Sequence, residues 1–237
     1  MIAPVTTDRL VKITSQQYIA AARPDAEVTV VTLDKGPASI ESRYEESLAA
    51  PGVVAKAMQA EKEGVQAVIS ECMGDPGVDA AREMVTIPVI GPAETSMHIA
   101  AMLGHRFSVV TILERLIPAL HDRATKTGLT GQLASIRAVG IPVLELDDHA
   151  RLLRALIDQS VRAVEEDGAH VIILGCTGMA GLAREVEKGL KKRGIGDVPV
   201  IDPGILALKI AEALADMGLS HSKRSYPVPP QKEIIGY

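Results

Sequence analysis

An internal repeat constrains this chain more than any other feature. Gly64-Val-Gln-Ala-Val-Ile-Ser-Glu-Cys72 aligns without a gap on Gly168-Ala-His-Val-Ile-Ile-Leu-Gly-Cys176, and each cysteine is followed two positions later by glycine, Gly74 or Gly178. The match continues through Ala81-Arg82-Glu83 against Ala183-Arg184-Glu185. It ends in Ile87-Pro88-Val89-Ile90-Gly91-Pro92 against Val198-Pro199-Val200-Ile201-Asp202-Pro203, with extra loop residues in the second copy around 191–197. A unit of this length is too long for a solenoid repeat, so it predicts two similar lobes related by a pseudo-twofold axis.

Short β-branched runs at 28–33, 65–70, 89–90, 107–112, 143–146, 171–174 and 198–201 alternate with longer Ala/Leu/Glu/Arg stretches. Continuous apolar runs of this length suit strands buried on both faces of a parallel sheet, and the alternation reads as α/β. Helices are expected near 8–23, 45–63, 77–85, 93–103, 114–127, 148–167, 179–193 and 205–217. Thr6-Thr7 and Asp147-Asp148 are candidate N-caps, and Gly64, Gly104 and Gly168 mark helix ends. The expected architecture is two pseudo-symmetric lobes, each a mainly parallel sheet flanked by helices, with the active site in the cleft between them. Lobe 1 takes residues 1–92 plus 204–237 and holds Cys72; lobe 2 takes 93–203 and holds Cys176. The Ser/Lys/Pro-rich segment after 219 reads as an extended tail over lobe 1.

The chain has two cysteines among 237 residues. Their separation excludes a zinc ribbon or a Cys-x-x-Cys redox pair. Each follows a buried strand and precedes a glycine-containing turn into a helix, where open α/β sheets place their ligands. Two thiols brought to one cleft from opposite lobes suit the inversion of a carbon stereocentre, which needs a base on one face and an acid on the other. Cysteine can fill both roles because its ordinary pKa, about 8.5, lies near working pH. Backbone N–H groups of the Gly74 and Gly178 turns are placed to receive a developing enolate oxygen or a carboxylate. A lone cysteine in this position is more often packing than chemistry; the matched pair favours catalysis.

Other function classes fit poorly. A net charge of −5 without a basic stripe, and four Tyr with one Phe, argue against nucleic acid. No apolar run is long enough for a membrane span, and Met1-Ile2-Ala3-Pro4 lacks the features of a signal peptide, so a cytoplasmic protein is expected. There is no Gly-x-Gly-x-x-Gly after a strand, no Walker loop and no His-Glu-x-x-His. None of the six histidines forms a metal-spaced pair, so no cofactor and no metal are expected; the expected partners are a small-molecule substrate and further copies of the chain.

Glu71-Cys72-Met73-Gly74-Asp75-Pro76-Gly77 with Ala80-Ala81-Arg82-Glu83, and Leu174-Gly175-Cys176-Thr177-Gly178-Met179, resemble the two signatures of the hydantoin racemase branch of the aspartate/glutamate/hydantoin racemase superfamily. Gly36-Pro37-Ala38-Ser39-Ile40-Glu41, Tyr44-Glu45-Glu46, Leu103-Gly104-His105-Arg106-Phe107-Ser108-Val109-Val110-Thr111 and the Lys/Pro-containing tail extend the resemblance over essentially the whole chain. It implies two α/β lobes, a two-thiol mechanism, and 5-monosubstituted hydantoins or allantoin as substrates. The chain departs from the family at its opening, Ile2-Ala3-Pro4-Val5-Thr6-Thr7, where a full strand ending in Asn-Pro-Asn-Thr is usual. It departs again at Glu71, usually a small residue, and at Met73, usually aromatic. Glu71 disfavours an anionic substrate if it enters the cleft and is only an ion-pair partner if it faces away.

The expected catalytic residues are therefore Cys72 and Cys176. Thr6, Gly74, Asp75, Thr111, Thr177 and Gly178 are the candidate substrate contacts. Asp75 has two readings, a contact to substrate N–H groups or a cap on the helix beginning beside Pro76; Thr6 and Thr177 have a turn or cap reading beside the binding one. Two alternatives stand beside the racemase: an amino-acid racemase, maleate-isomerase-like or decarboxylase-like enzyme of the same superfamily, and a bilobal binding protein without turnover.

Overall fold

The structure, a computed structural model, describes residues 1–233, apart from the side chains of Arg9, Leu10 and Ile13. It contains two parallel sheets. The larger runs β4 (Leu133–Ala138), β3 (Phe107–Thr111), β5 (Val171–Leu174), β6 (Val200–Ile201), all parallel. The smaller pairs β1 (Val68–Ile69) with β2 (Val89–Ile90) and is extended by single parallel bridges from Ile2 to Ser70 and to Val31. The spatial order Val31, Ile2, β1, β2 repeats the order β4, β3, β5, β6, as the duplication in the sequence requires.

Strand alternation sends side chains to both faces of each sheet, and helices cover both. In the larger sheet Phe107, Val109, Val171 and Ile173 pack on α4 (Pro92–Leu103) and α5 (Ile117–Lys126) through Met97, Ala100 and Leu120. Val110, Ile172 and Leu174 face the opposite way, toward Leu152 and Leu156 of α6 (His149–Glu165) and Val186 and Leu190 of α7 (Ala183–Lys192). In the smaller sheet Val68 and Val89 meet Ala49, Val53 and Ala57 of α2 (Arg43–Lys62) and Val78 and Ala81 of α3 (Val78–Met84). Ile69 and Ile90 meet Tyr18 of α1 (Arg9–Ala21) and Ala207, Leu208 and Ala211 of α8 (Pro203–Asp216). The helix that follows each sheet packs on the other: α4 lies against β3 and β5, and α8 against β1 and β2.

Three elements differ from expectation. Residues 28–33 form only the single parallel bridge of Val31 to Ile2. The equivalence of Ile2 with β3 is fixed by hydrogen bonds: the Glu71 N–H donates to Ile2 O at 2.8 Å as the Gly175 N–H donates to Val110 O at 2.8 Å. The Met1 ammonium donates to Thr29 O at 2.6 Å, and a groove with about 1550 Å³ of empty space lies between 28–31 and 65–69. Residues 143–146 form a 3-10 turn, Val143–Glu145, instead of a strand. The strand Leu133–Ala138 was not anticipated; all six of its residues are half-buried at the sheet edge, so no apolar run announces it.

Helix starts also need correction. Neither Thr6 nor Thr7 caps α1; their hydroxyls donate to Pro37 O at 3.3 Å and Ala38 O at 2.7 Å. Asp148 does cap α6, accepting from the Arg151 N–H at 3.1 Å.

The tail binds the smaller sheet and α3. The Lys223 ammonium donates to the carbonyls of Arg82, Glu83 and Val85 at 2.7, 3.0 and 2.7 Å, satisfying the open end of α3. The Val89 N–H donates to His221 Nε2 at 2.9 Å, which requires a neutral ring; burial holds its pKa below the ordinary value. Residues 234–237 of the expected tail lie outside the described residues.

Candidate active site

Each cysteine sits in a loop leaving the carboxyl end of an equivalent strand, β1 or β5. In the first loop the Asp75 N–H donates to Cys72 O at 3.0 Å, and the Gly74 N–H points at Cys72 Sγ, 3.4 Å away. In the second, Thr177–Met179 form a 3-10 turn, the Met179 N–H donates to Cys176 O at 3.1 Å, and the Gly178 N–H is directed at the Cys176 sulfur. Each thiol thus has one backbone donor that favours its thiolate.

Both loops are tied to a helix N-terminus by a carboxylate, but from opposite partners. Asp75, at φ 45°, accepts from the Ala93 N–H at 2.9 Å and the Glu94 N–H at 3.0 Å in the first turn of α4. Position 91, where a cap would ordinarily stand, is glycine, and a Cβ there would lie 2.5 Å from the Asp75 carboxyl carbon. In the second half Asp202 caps α8 through the Ile205 N–H at 3.2 Å and reaches back to the Gly181 N–H at 2.6 Å. Asp75 therefore does not cap the helix after Pro76: both of its oxygens hold α4, and it is not among the residues that line either chamber of the cleft.

The two thiols stand where two chambers of one cleft join. The first, with about 440 Å³ of empty space, is walled by Ile40, Ile112, Leu116 and Leu120, with Glu46 of α2 and Arg123 of α5. The second, with about 500 Å³, is walled by Pro4, Val5, Thr7, Thr14 and Val143, with Glu71. Cys72, Cys176 and Thr177 line both. Bonds across the cleft hold its halves together: the Thr177 hydroxyl donates to Glu71 O at 3.2 Å, the Val143 N–H donates to Glu41 Oε1 at 2.7 Å, and the Arg123 guanidinium donates to Gly74 O.

Desolvation dominates the electrostatics. Enclosure pushes Cys176 up to about 12, against the Gly178 N–H and with the charges of Glu71 and Glu41 adding to the rise. Cys72 moves the same way, with the Gly74 N–H opposing and Glu46 adding. Both shifts favour the protonated thiol over the thiolate. Glu71 is raised to about 7 by burial, while the Tyr18 hydroxyl, which donates to Oε1 at 2.6 Å, the Thr177 hydroxyl and the terminal ammonium pull it down. Burial also raises Glu46, with Arg123 and Arg43 opposing.

Of the residues expected from sequence, Cys72, Cys176, Gly74, Thr111, Thr177 and Gly178 line the cleft. Thr111 Oγ1 donates to Gly175 O at 3.3 Å. Thr6 is not among the lining residues; its neighbour Thr7 is. Glu71, open between two orientations from sequence, lines the second chamber, with its carboxylate bonded to Tyr18. Glu46 and Arg123 were missed. Glu46 had a signal in Tyr44-Glu45-Glu46, whereas Arg123 sits on an amphipathic helix like any surface arginine. Among the described residues no three His, Cys, Asp or Glu side chains are grouped to hold a metal ion, and no helix is long and apolar enough to cross a membrane.

The sequence pattern described as Asp/Glu/hydantoin racemase matches residues 1–211. A hydantoin racemase of a Pseudomonas strain is 41% identical over 100% of this chain and 93% of its own length. Among solved structures, the allantoin racemase from Klebsiella pneumoniae superposes with a TM-score of 0.92 at 36% identity, covering 99% of this chain and 94% of that one. The allantoin racemase from Pseudomonas fluorescens gives 0.91 at 38% identity, covering 99% and 98%.

Proposed function

We propose, from the premise that this chain belongs to the Asp/Glu/hydantoin racemase family, that it inverts the C5 stereocentre of a 5-monosubstituted hydantoin or of allantoin by proton transfer between Cys72 and Cys176. Membership makes the chain an isomerase. The observation that carries the proton path is that both cysteines line the same two chambers, each sulfur with a loop N–H directed at it.

In this mechanism the thiolate of one cysteine takes the C5 proton, and the C–H electron pair moves onto the adjacent ring carbonyl as an enolate. The opposite thiol then delivers its proton to the other face of C5 and is left as the thiolate, so the two sulfurs exchange roles at each inversion. The Gly74 and Gly178 N–H groups, each directed at its own cysteine sulfur, stabilise whichever sulfur carries the charge. Because enclosure holds both thiols up, turnover is expected to rise from neutral toward alkaline pH as the base sulfur ionises. Two walls, 1–92 plus 204–237 and 93–203, each supplying one thiol, are part of the same proposal. So is a cytoplasmic setting, consistent with two free cysteines.

Replacing Cys72 or Cys176 by serine tests the reading in a polarimetric assay with D- and L-hydantoins and allantoin. Each replacement is expected to lower kcat by at least about 10³-fold, the scale of a lost general acid or base, with unchanged circular dichroism. Full activity in either variant overturns the two-thiol path.

A further inference from the structure

Glu71 is a buried carboxyl that this mechanism does not use. Its counterpart in the second half is Gly175, where a Cβ would meet the Thr111 backbone at 2.7 Å, so only the Cys72 side of the cleft has room for a side chain here. Glu71 is 7% exposed, accepts from Tyr18 of α1 and lines the second chamber beside both cysteines. The other described residues of that wall are apolar or hydroxyl-bearing, and none of them is basic. The first chamber, by contrast, sets Arg123 against Glu46.

We infer that Glu71, held by Tyr18, sets the charge selectivity of the cleft: it admits a neutral ring bearing amide N–H groups and turns away a substrate with a carboxylate on the stereocentre. The inference rests on the racemase reading and deepens it, because it separates cyclic hydantoins from their ring-opened, anionic counterparts. An ionised carboxylate in a partly desolvated chamber repels a second one and accepts from an N–H. Opening the hydantoin ring leaves the stereocentre and its substituent unchanged and adds the charge.

The groups facing Glu71 are Tyr18 from α1, the Met1 ammonium, Asp202 at the start of α8, Thr177 and Cys176 on the opposing loop, and Cys72 beside it. With its pKa raised to about 7, Glu71 is mostly neutral at pH 6 and mostly ionised at pH 8. The ammonium, lowered to about 6 by burial, loses its charge in a neighbouring range. A Glu71→Gln variant keeps that ammonium and so isolates the contribution of the carboxylate.

The test is calorimetric binding of 5-methylhydantoin and of N-carbamoylalanine to the whole protein and to Glu71→Gln, at pH 6 and pH 8, with racemisation of the hydantoin followed in parallel. The preference of the wild-type protein for the ring is expected to grow about tenfold between the two pH values, the scale of a like-charge contact in such a site. Glu71→Gln is expected to lose about tenfold of that preference at pH 8. A wild-type preference that does not change with pH, an undiminished preference in the variant at pH 8, or no binding of either compound overturns the inference. If the variant does not fold, the wild-type pH comparison decides. Racemisation without a pH-dependent preference refutes the charge gate alone, whereas a pH-dependent preference without racemisation refutes the racemase reading.

Discussion

The half that carries Cys72 and the half that carries Cys176 build the same thiol loop from different supports. In the second, a five-residue central strand, β3, pairs on both sides, and the cap Asp202 stands on the helix it serves. In the first, Ile2 makes a single bridge on each side, and the cap for α4 comes from Asp75, within the cysteine loop itself. The second half has glycine before its cysteine because Thr111 leaves no room; the first places Glu71 there. What the halves share is therefore the sulfur, the N–H two residues on, and a carboxylate tying loop to helix. Those shared parts are what the proposed proton transfer needs, and the parts that differ are free to set selectivity.

The largest expected effect comes from giving the second half a side chain before its cysteine. Gly175→Ala puts a Cβ 2.7 Å from Thr111 Cα, backbone that cannot rotate away, and is expected to cost about 3 kcal/mol with a fall in turnover. Denaturant unfolding and a racemisation assay measure both, and a neutral result would remove the steric account of the asymmetry. Next are the caps. Asp75→Ala strips the first turn of α4 of two partners inside the molecule and is expected to cost about 2 kcal/mol, whereas Asp202→Ala is expected to cost about 1 kcal/mol. Equal costs would mean that the placement of the cap carries no energetic difference.

An effect of similar size to the caps is expected in the pH dependence of stability. The folded-state pKa of Glu71, raised from 4.5 to about 7, means that between those values the folded protein binds a proton that the unfolded chain has released. Its contribution to stability is complete below about pH 4.5 and is lost as pH rises toward 7. Glu71→Gln is expected to flatten the decline by about 2 kcal/mol, read from urea midpoints at pH 5 and 7.5. An identical slope in the variant would contradict the buried, titrating carboxyl.

The parts of the molecule legible in the sequence are those in which local pattern and tertiary environment agree. The run at β5 is apolar at every position and that at β3 nearly so because both faces are buried, and the duplication aligns the two cysteines. The strand Leu133–Ala138 escaped because an edge strand of half-buried residues needs no apolar run. Residues 143–146 read as a strand, yet their backbone is held by Glu41, a residue 102 positions away. Asp75 read as a local cap, and nothing near it in sequence points to the glycine at position 91 that draws it to α4. The direction of Glu71 likewise depends on Tyr18, which lies on a separate helix.

The central claim, that the two thiols serve opposite faces of one carbon, is tested most directly by hydrogen exchange in D₂O. Pure D- and pure L-enantiomers of one hydantoin would be incubated separately with Cys72→Ser and with Cys176→Ser, and loss of the C5 proton followed by NMR above the uncatalysed rate. The account predicts that each variant exchanges one enantiomer without inverting it, and that the two variants choose opposite enantiomers. Exchange of the same enantiomer by both variants, or full racemisation by either, would contradict it.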